Sequence, residues 1–165
     1  MNRPLSRCVA AVALVASTLV WTPGSPVGAW SSDDRAVAVF GGTSYDYGYS
    51  VAVDSSGNVY TAGLFYGTVD FDPGSGTENR TAVGGADAYL LKLDSSGDYA
   101  WLAVFGDINS EIAEGVAVDS SGNVYVTGYF GGTVDFDPGS GTDNHTSTGY
   151  NDVFVLKLDS SGDLV

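Results

Sequence analysis

The chain has 165 residues and a formal net charge of −14, because 20 acidic side chains face only six basic ones. This length allows one domain with an apolar core. The charge argues against nucleic-acid binding, because phosphates are bound by Lys and Arg, and against anionic membrane surfaces. Of the acidic residues 17 are Asp, which is typical of a protein rich in turns.

Residues 1–29 have the pattern of a secretory signal peptide. Arg3 and Arg7 precede the short apolar run CVAAVALVASTLVW, and small residues lead up to Ala29. We expect cleavage after Ala29, with an uncleaved N-terminal anchor as the alternative. Residues 30–35 then form a short linker. The mature chain would have no cysteine and no membrane span, and it would be secreted or held at the cell surface.

The rest of the chain is a tandem repeat. Residues 36–100 align with residues 101–165 without a gap, at a constant offset of 65, and 39 positions are identical. The identical stretches include VAVDSSGNVY, GTVDFDPGSGT and LKLDSSGD, whereas residues 42–50 match residues 107–115 least. A fixed period of this kind is typical of stacked structural units.

Each repeat is predicted to be β-structure throughout. Val51–Asp54 is a short strand, and the DSSGN turn that follows has Gly57 at its position of positive φ. Val59–Phe65 returns as the second strand of a hairpin. Asp87–Asp94 and Tyr99–Phe105 are the third and fourth strands. Their apolar residues do not alternate cleanly with polar ones, which predicts strands covered on both faces.

These features predict an all-β fold made of two four-stranded blades of a β-propeller, with a β-sandwich as the alternative. The sequences AVDSSGNVYVTG and DVFVLKLDSSGDLV resemble the bacterial β-propeller repeat called SBBP. The resemblance covers both repeats. It implies secreted or cell-surface proteins and brings no catalytic residues.

Two blades are fewer than the 4–8 blades of typical propellers. We therefore expect a partial propeller or a ring-forming oligomer, with the further blades coming from a longer chain or from other copies. The segment AVAVFG at 36–41 is the counterpart of WLAVFG at 101–106. In an oligomer it would complete the last blade of a neighbouring chain.

The search for catalytic chemistry predicts no enzyme. The mature chain has one histidine, His145, and its counterpart is Arg80. Glu111 and Glu114 could serve a glycosidase as a carboxylate pair, but solvated loop charge is the favoured interpretation. Trp101 is predicted to lie in the core.

The repeated DFDPGSGT segment is a candidate calcium loop. Calcium prefers several oxygen ligands, and Asp70 and Asp72 in the first repeat, like Asp135 and Asp137 in the second, are spaced by one residue. The favoured interpretation, however, is that the aspartates face water and that Pro73–Gly74 forms a type II turn. The spacing of the EF-hand pattern is not met. Calcium is thus the one cofactor that the sequence raises.

The favoured function is a non-catalytic extracellular scaffold or binding module whose loops contact a protein or glycan. One alternative is a lectin-like oligomer that closes a propeller from several chains. Tyr45, Tyr47 and Tyr49 alternate along SYDYGYS and could stack on a sugar, although their counterparts are Ser110, Ile112 and Glu114, so no repeated sugar site follows. A weaker alternative is a secreted hydrolase.

Overall fold

The first repeat folds into a four-stranded antiparallel sheet, which we call blade 1. The computed structural model describes residues 37–165, and this range contains β-strands and no helix. The strands of blade 1 lie in the order β2-β3-β6-β7. Their bounds are β2 Asp46–Val53, β3 Val59–Phe65, β6 Asp87–Leu93 and β7 Tyr99–Phe105.

The second repeat forms blade 2, whose sheet has three strands in the order β8-β9-β12. They are β8 Ile112–Val118, β9 Val124–Phe130 and β12 Asp152–Leu158. The outer side of β12 carries an isolated bridge between Leu158 and Leu164. This bridge starts the fourth strand that β7 supplies in blade 1.

Between the second and third strands of each blade the chain forms a smaller hairpin. In blade 1, β4 (Thr68–Asp70) pairs with β5 (Asn79–Thr81), and β1 (Gly41–Gly42) pairs with the other side of β4. In blade 2, β10 (Thr133–Asp135) pairs with β11 (Asn144–Thr146). We call these the acidic hairpins.

Short Asp-Ser-Ser-Gly turns connect the strands at one end of the blades. Asp54 Oδ1 accepts the backbone N–H groups of Ser56 at 2.8 Å and Asn58 at 3.0 Å. Gly57 has φ 86°, a left-handed conformation that favours glycine. The predicted DSSGN turn and the role of Gly57 are therefore confirmed.

The two blades pack face to face through one apolar cluster. On blade 1 we call the contacting surface the outgoing face; its buried residues are Tyr60, Ala62, Ala88, Leu90, Ala103 and Phe105. On blade 2 we call the contacting surface the incoming face; its residues are Val116, Val118, Val124, Val126, Phe154, Leu156 and Leu158. Trp101 packs against this cluster but is only half-buried, so the prediction that it lies in the core is confirmed in part.

The other face of blade 1 has its own cluster of buried apolar residues: Phe65, Val69, Phe71, Tyr89, Leu91 and Leu93. The extended segment 37–40 packs here through Ala38 and Phe40. The rings of Phe40 and Phe71 lie 5.6 Å apart, much as those of Phe105 and Phe136 lie 5.8 Å apart at the blade junction. Residues 37–40 thus sit where the outer strand of a preceding blade would sit.

The prediction of an all-β fold built from propeller blades is confirmed. Strands β3 and β7 have the predicted bounds, whereas β2 begins at Asp46 and is longer than predicted. Coverage on both faces holds for β6, which is almost wholly buried, but not for β12, where Val153 and Val155 are exposed. The blade 1 sheet ends at Phe105, so its outer strand crosses the boundary between the two sequence repeats.

Two sequence predictions concern other parts of the chain. The signal peptide at 1–29 and the linker at 30–35 lie outside the described residues. Over residues 37–165 there is no helix that is long and apolar enough to cross a membrane.

Candidate functional site

The connections at the two ends of the blades differ in length. One end has the short Asp-Ser-Ser-Gly turns, and we call the opposite end the long-connection end. There, residues 66–86 join β3 to β6, residues 106–111 join β7 to β8, and the variable segment 42–50 leads into β2. Binding residues occur preferentially on loops held by a rigid scaffold. The long-connection end is therefore the candidate ligand-binding end.

Three tyrosines at this end form a row of stacked rings, which we call the tyrosine ladder. The ring centroids of Tyr45 and Tyr47 are 6.3 Å apart and those of Tyr47 and Tyr49 are 6.1 Å apart, with interplanar angles of 18° and 7°. The residues are 71%, 45% and 50% exposed, with blade 2 in place. A β-bulge between Gly48 and Ser50 breaks the regular alternation of β2 at this point. The result is an ordered aromatic surface open to solvent.

The tyrosine ladder has no copy in the second repeat. Ser110 and Glu114 are exposed and Ile112 is half-buried at the counterpart positions. A bulge between Ala113 and Gly115 is nevertheless present in β8. The backbone is repeated while the side chains differ, so the two blades offer different surfaces to a ligand.

Two carboxylates are buried at the junction of the blades. Asp87 is 2% exposed and Glu111 is 1% exposed. Glu111 Oε2 accepts the N–H of Asp107 at 2.9 Å and its Oε1 accepts the N–H of Gly131 at 3.4 Å, while both oxygens of Asp87 accept the N–H of Val83 at 3.2 Å. Burial raises the pKa of Asp87 to about 6 and that of Glu111 to about 7, and the charge of Asp107 adds to both.

These hydrogen bonds hold Glu111 in the connection between the two blades. Its backbone N–H also donates to the carbonyl oxygen of Ala86 at 2.8 Å, so one residue links connections of both blades. The prediction that Glu111 carries solvated loop charge is wrong, because the residue lies under the junction. Glu114 is exposed as predicted, but it lies in β8 and not in a loop. One carboxyl group is thus buried and bonded to the backbone, and the other is in solvent.

The aspartates of the acidic hairpins bond to their own loop. Asp70 Oδ1 accepts the N–H groups of Asp72 at 3.1 Å and Glu78 at 2.8 Å, and Asp72 Oδ1 accepts the N–H of Gly74 at 2.6 Å. Gly74 is not among the glycines with positive φ. The predicted type II turn at Pro73–Gly74 is therefore wrong, because that turn needs positive φ at its third residue; side-chain acceptors shape the loop instead.

The second hairpin repeats this arrangement. Asp135 Oδ1 accepts the N–H groups of Asp137 at 3.0 Å and Asp143 at 2.8 Å. Within residues 37–165, no group of three or more His, Cys, Asp or Glu side chains is arranged to hold a metal ion. Calcium binding by the four hairpin aspartates stays a prediction.

The single histidine of the chain lies beside an exposed carboxylate. His145 Nε2 lies 3.2 Å from Asp143 Oδ1, and the counterparts Arg80 and Glu78 form an ion pair. The basic residue of each pair lies in the exposed strand β5 or β11, and the acidic residue directly precedes that strand. The same position in both repeats thus pairs a basic side chain with a surface carboxylate.

Comparison with known families bears directly on these blades. The model of a family described as a beta-propeller repeat, SBBP, matches residues 39–64 and 101–129. Residues 39–64 and 101–129 are thus similar to SBBP beta-propeller repeats. The two matched segments contain β2 and β8 and most of β3, β7 and β9.

The chain also has a likeness to a curated protein. An uncharacterized WD repeat-containing protein of Acanthamoeba polyphaga mimivirus is 29% identical over an alignment of 116 residues that covers 60% of this chain. The match spans 8% of that protein's length. Both comparisons indicate a repeat-based scaffold or binding module.

Sequence reasoning located some residues of the site and missed others. It identified the three tyrosines and the four hairpin aspartates. It did not predict that Asp87 and Glu111 are buried at the blade junction, because a single carboxylate next to the start of a strand carries no local signal of burial. The sequence does show that both positions are acidic in both repeats, since Asp87 aligns with Asp152 and Glu111 aligns with Asp46.

Proposed function

We propose that the protein is an exported, non-catalytic β-propeller scaffold that binds a ligand at the long-connection end of its blades. The SBBP repeats support the scaffold, and the pattern of residues 1–29 supports export. The observation that carries the proposal is the tyrosine ladder, which is ordered and exposed while the strand that holds it is fixed between β3 and blade 2. An aromatic surface with hydroxyl groups at its edge combines apolar contact area with hydrogen bonding.

Carbohydrate binding is the more specific candidate, and the exposure of the ladder supports it. The rings are nearly parallel and about equally spaced. A sugar offers an apolar face to an aromatic ring and hydroxyl groups to its surroundings. Exposed polar side chains of segment 42–50, including Ser44, lie beside the rings in sequence and could contact those hydroxyl groups.

A glycan array tests this specific function. The full chain is compared with the triple variant Tyr45→Ala, Tyr47→Ala and Tyr49→Ala. The matched control is Tyr150→Ala, because Tyr150 is 100% exposed and belongs to the other blade. We expect binding that the triple variant loses and the control keeps. No binding across the array, or equal binding by the triple variant, would refute the carbohydrate function.

Export is tested separately, by expressing the full chain with its N-terminus intact and sequencing the N-terminus of the product outside the cytoplasm. We expect the mature chain to begin at Trp30. A product that is retained in the cytoplasm with Met1 in place would refute the export proposal.

A further inference from the structure

Each blade has one face at the blade junction and one face on the outside of the pair. The outside faces carry the counterparts of the residues that are buried at the junction, but these counterparts are exposed. On the outgoing face, Ala88 and Leu90 are fully buried beneath blade 2. Their counterparts on blade 2, Val153 and Val155, are both 76% exposed. Tyr60 is fully buried, whereas its counterpart Tyr125 is 37% exposed. The same positions are therefore covered in one blade and open in the other.

The incoming face shows the reverse relation. Val116 and Val118 of blade 2 pack against the junction cluster. Their counterparts on blade 1, Val51 and Val53, are 65% and 62% exposed. Exposed apolar residues scattered singly need no explanation, but contiguous ones on a sheet face indicate an interaction site. The free face of blade 1 therefore corresponds to the incoming face of blade 2, which is the surface that an outgoing face contacts.

The edges of the sheets complement each other as well. The outer edge of β12 has only the Leu158–Leu164 bridge, and unpaired strand edges favour pairing with another chain. Segment 37–40 is extended and packs on blade 1 through Ala38 and Phe40, while Val37 and Val39 are exposed. This alternation is the one that β7 shows, where Ala103 and Phe105 are buried in the junction.

We propose that two copies of this chain associate head to tail, so that blade 1 of one copy packs on blade 2 of the next as blade 2 packs on blade 1 within the chain. Segment 37–40 of one copy then adds to β12 of the other as its fourth strand. The pairs Leu90↔Ala103 and Ala88↔Phe105 in blade 1 fix the register: Ala38 pairs with Val155 and Phe40 pairs with Val153 of the neighbouring copy.

A polar contact of Lys92 at the blade junction has a counterpart, Lys157, on the free face of blade 2. Lys92 Nζ donates to the carbonyl oxygen of Ser160 at 2.9 Å and lies 5.2 Å from the Tyr60 ring centroid. Lys157 lies 5.9 Å from the Tyr125 ring centroid in the same way. In the head-to-tail contact Lys157 would reach the carbonyl oxygen of Ser95 of the neighbouring copy. Repeated association through such a contact closes a ring when the rotation per copy allows it.

Sedimentation of the full chain over a concentration series tests the association. We expect a discrete oligomer, and about two to four copies would give the blade number of a closed propeller. Val153→Asp with Val155→Asp should raise the dissociation constant by at least ~100-fold, because two unpaired charges would be buried. Both side chains are exposed within one copy, so the variant should fold. Ile108→Asp, which is 78% exposed and off both faces, should leave the oligomer unchanged.

Disulfide formation tests the register. In a Cys8→Ser background, Ala38→Cys with Val155→Cys should give linked copies on oxidation. The control Val39→Cys with Val155→Cys should not, because the two side chains would lie on opposite faces. A monomer at every concentration would overturn the proposal, and so would equal linking of the two cysteine pairs. Neither result would affect the glycan-array test, which does not depend on the association of copies.

Discussion

Glu111→Gln probes the charge at the blade junction. Burial raises the pKa of Glu111 to about 7 from an ordinary value of 4.5. Because its charged form is disfavoured in the folded state, the side chain contributes its full stability below about pH 4.5, and this stability is lost as the pH rises through about 7. The pKa difference corresponds to about 3 kcal/mol, of which about 2.5 kcal/mol is lost between pH 5 and pH 8.

Urea unfolding followed by far-UV circular dichroism measures this loss, at one protein concentration so that association does not change. The range begins at pH 5 because the sequence pI is about 4.1. We expect the loss in free energy of unfolding over this range to be about 2.5 kcal/mol smaller in Glu111→Gln than in the wild type. Asp87, whose pKa is also raised, contributes to both proteins. Glu114→Gln, three residues further along the chain but exposed, should behave as the wild type. Equal pH dependence in Glu111→Gln and the wild type would refute the reasoning.

Substitutions at three further residues, with matched controls, test packing and loop contacts by the free energy of unfolding in urea. Phe136→Ala should cost about 3–5 kcal/mol, because this ring packs on three other phenylalanines; a cost below about 1 kcal/mol would contradict that packing. Gly63→Ala should cost at least about 2 kcal/mol, since its Cβ would overlap the carbonyl oxygen of Tyr47. Gly149→Ala, with nothing within 4 Å, should be nearly neutral. Asp70→Ala should cost about 1–3 kcal/mol and Asp70→Asn less, because only the latter keeps an acceptor for the loop N–H groups; equal costs would count against that contact. Melting the wild type and Asp70→Asn with calcium and with chelator tests the calcium prediction, which fails if calcium shifts neither melting temperature or shifts both equally.

The parts of the fold that the sequence predicted are those in which local chemistry decides the structure. Glycine and aspartate fix the DSSGN turns, because one supplies the left-handed conformation and the other accepts the N–H groups of the turn. The many apolar residues of β7 predict a strand that other parts of the protein must cover. These rules act within a few residues, so they can be read without knowledge of the partner strands.

The remaining features depend on contacts between distant segments. β2 extends back to Asp46 because Tyr47 pairs with Leu64 across the sheet, although the residues around it are polar, glycine or aromatic. The acidic hairpins depend on pairing across an eight-residue loop. Glu111 is buried only because blade 2 packs on blade 1, and no property of the residues beside it in sequence reports that packing.

Two short segments of the blades have changed to different extents since the repeat arose. Residues 54–58 and 119–123 are identical at every position, whereas residues 42–50 and 107–115 differ at every position. All of the divergence in the second pair is confined to a loop and the first residues of β2 and β8, which keep the same bulge. A duplicated blade of this design can therefore acquire a new surface through substitutions in one nine-residue stretch, while the turns at its other end preserve the fold. Divergence after duplication is then a route by which neighbouring blades become specific for different ligands.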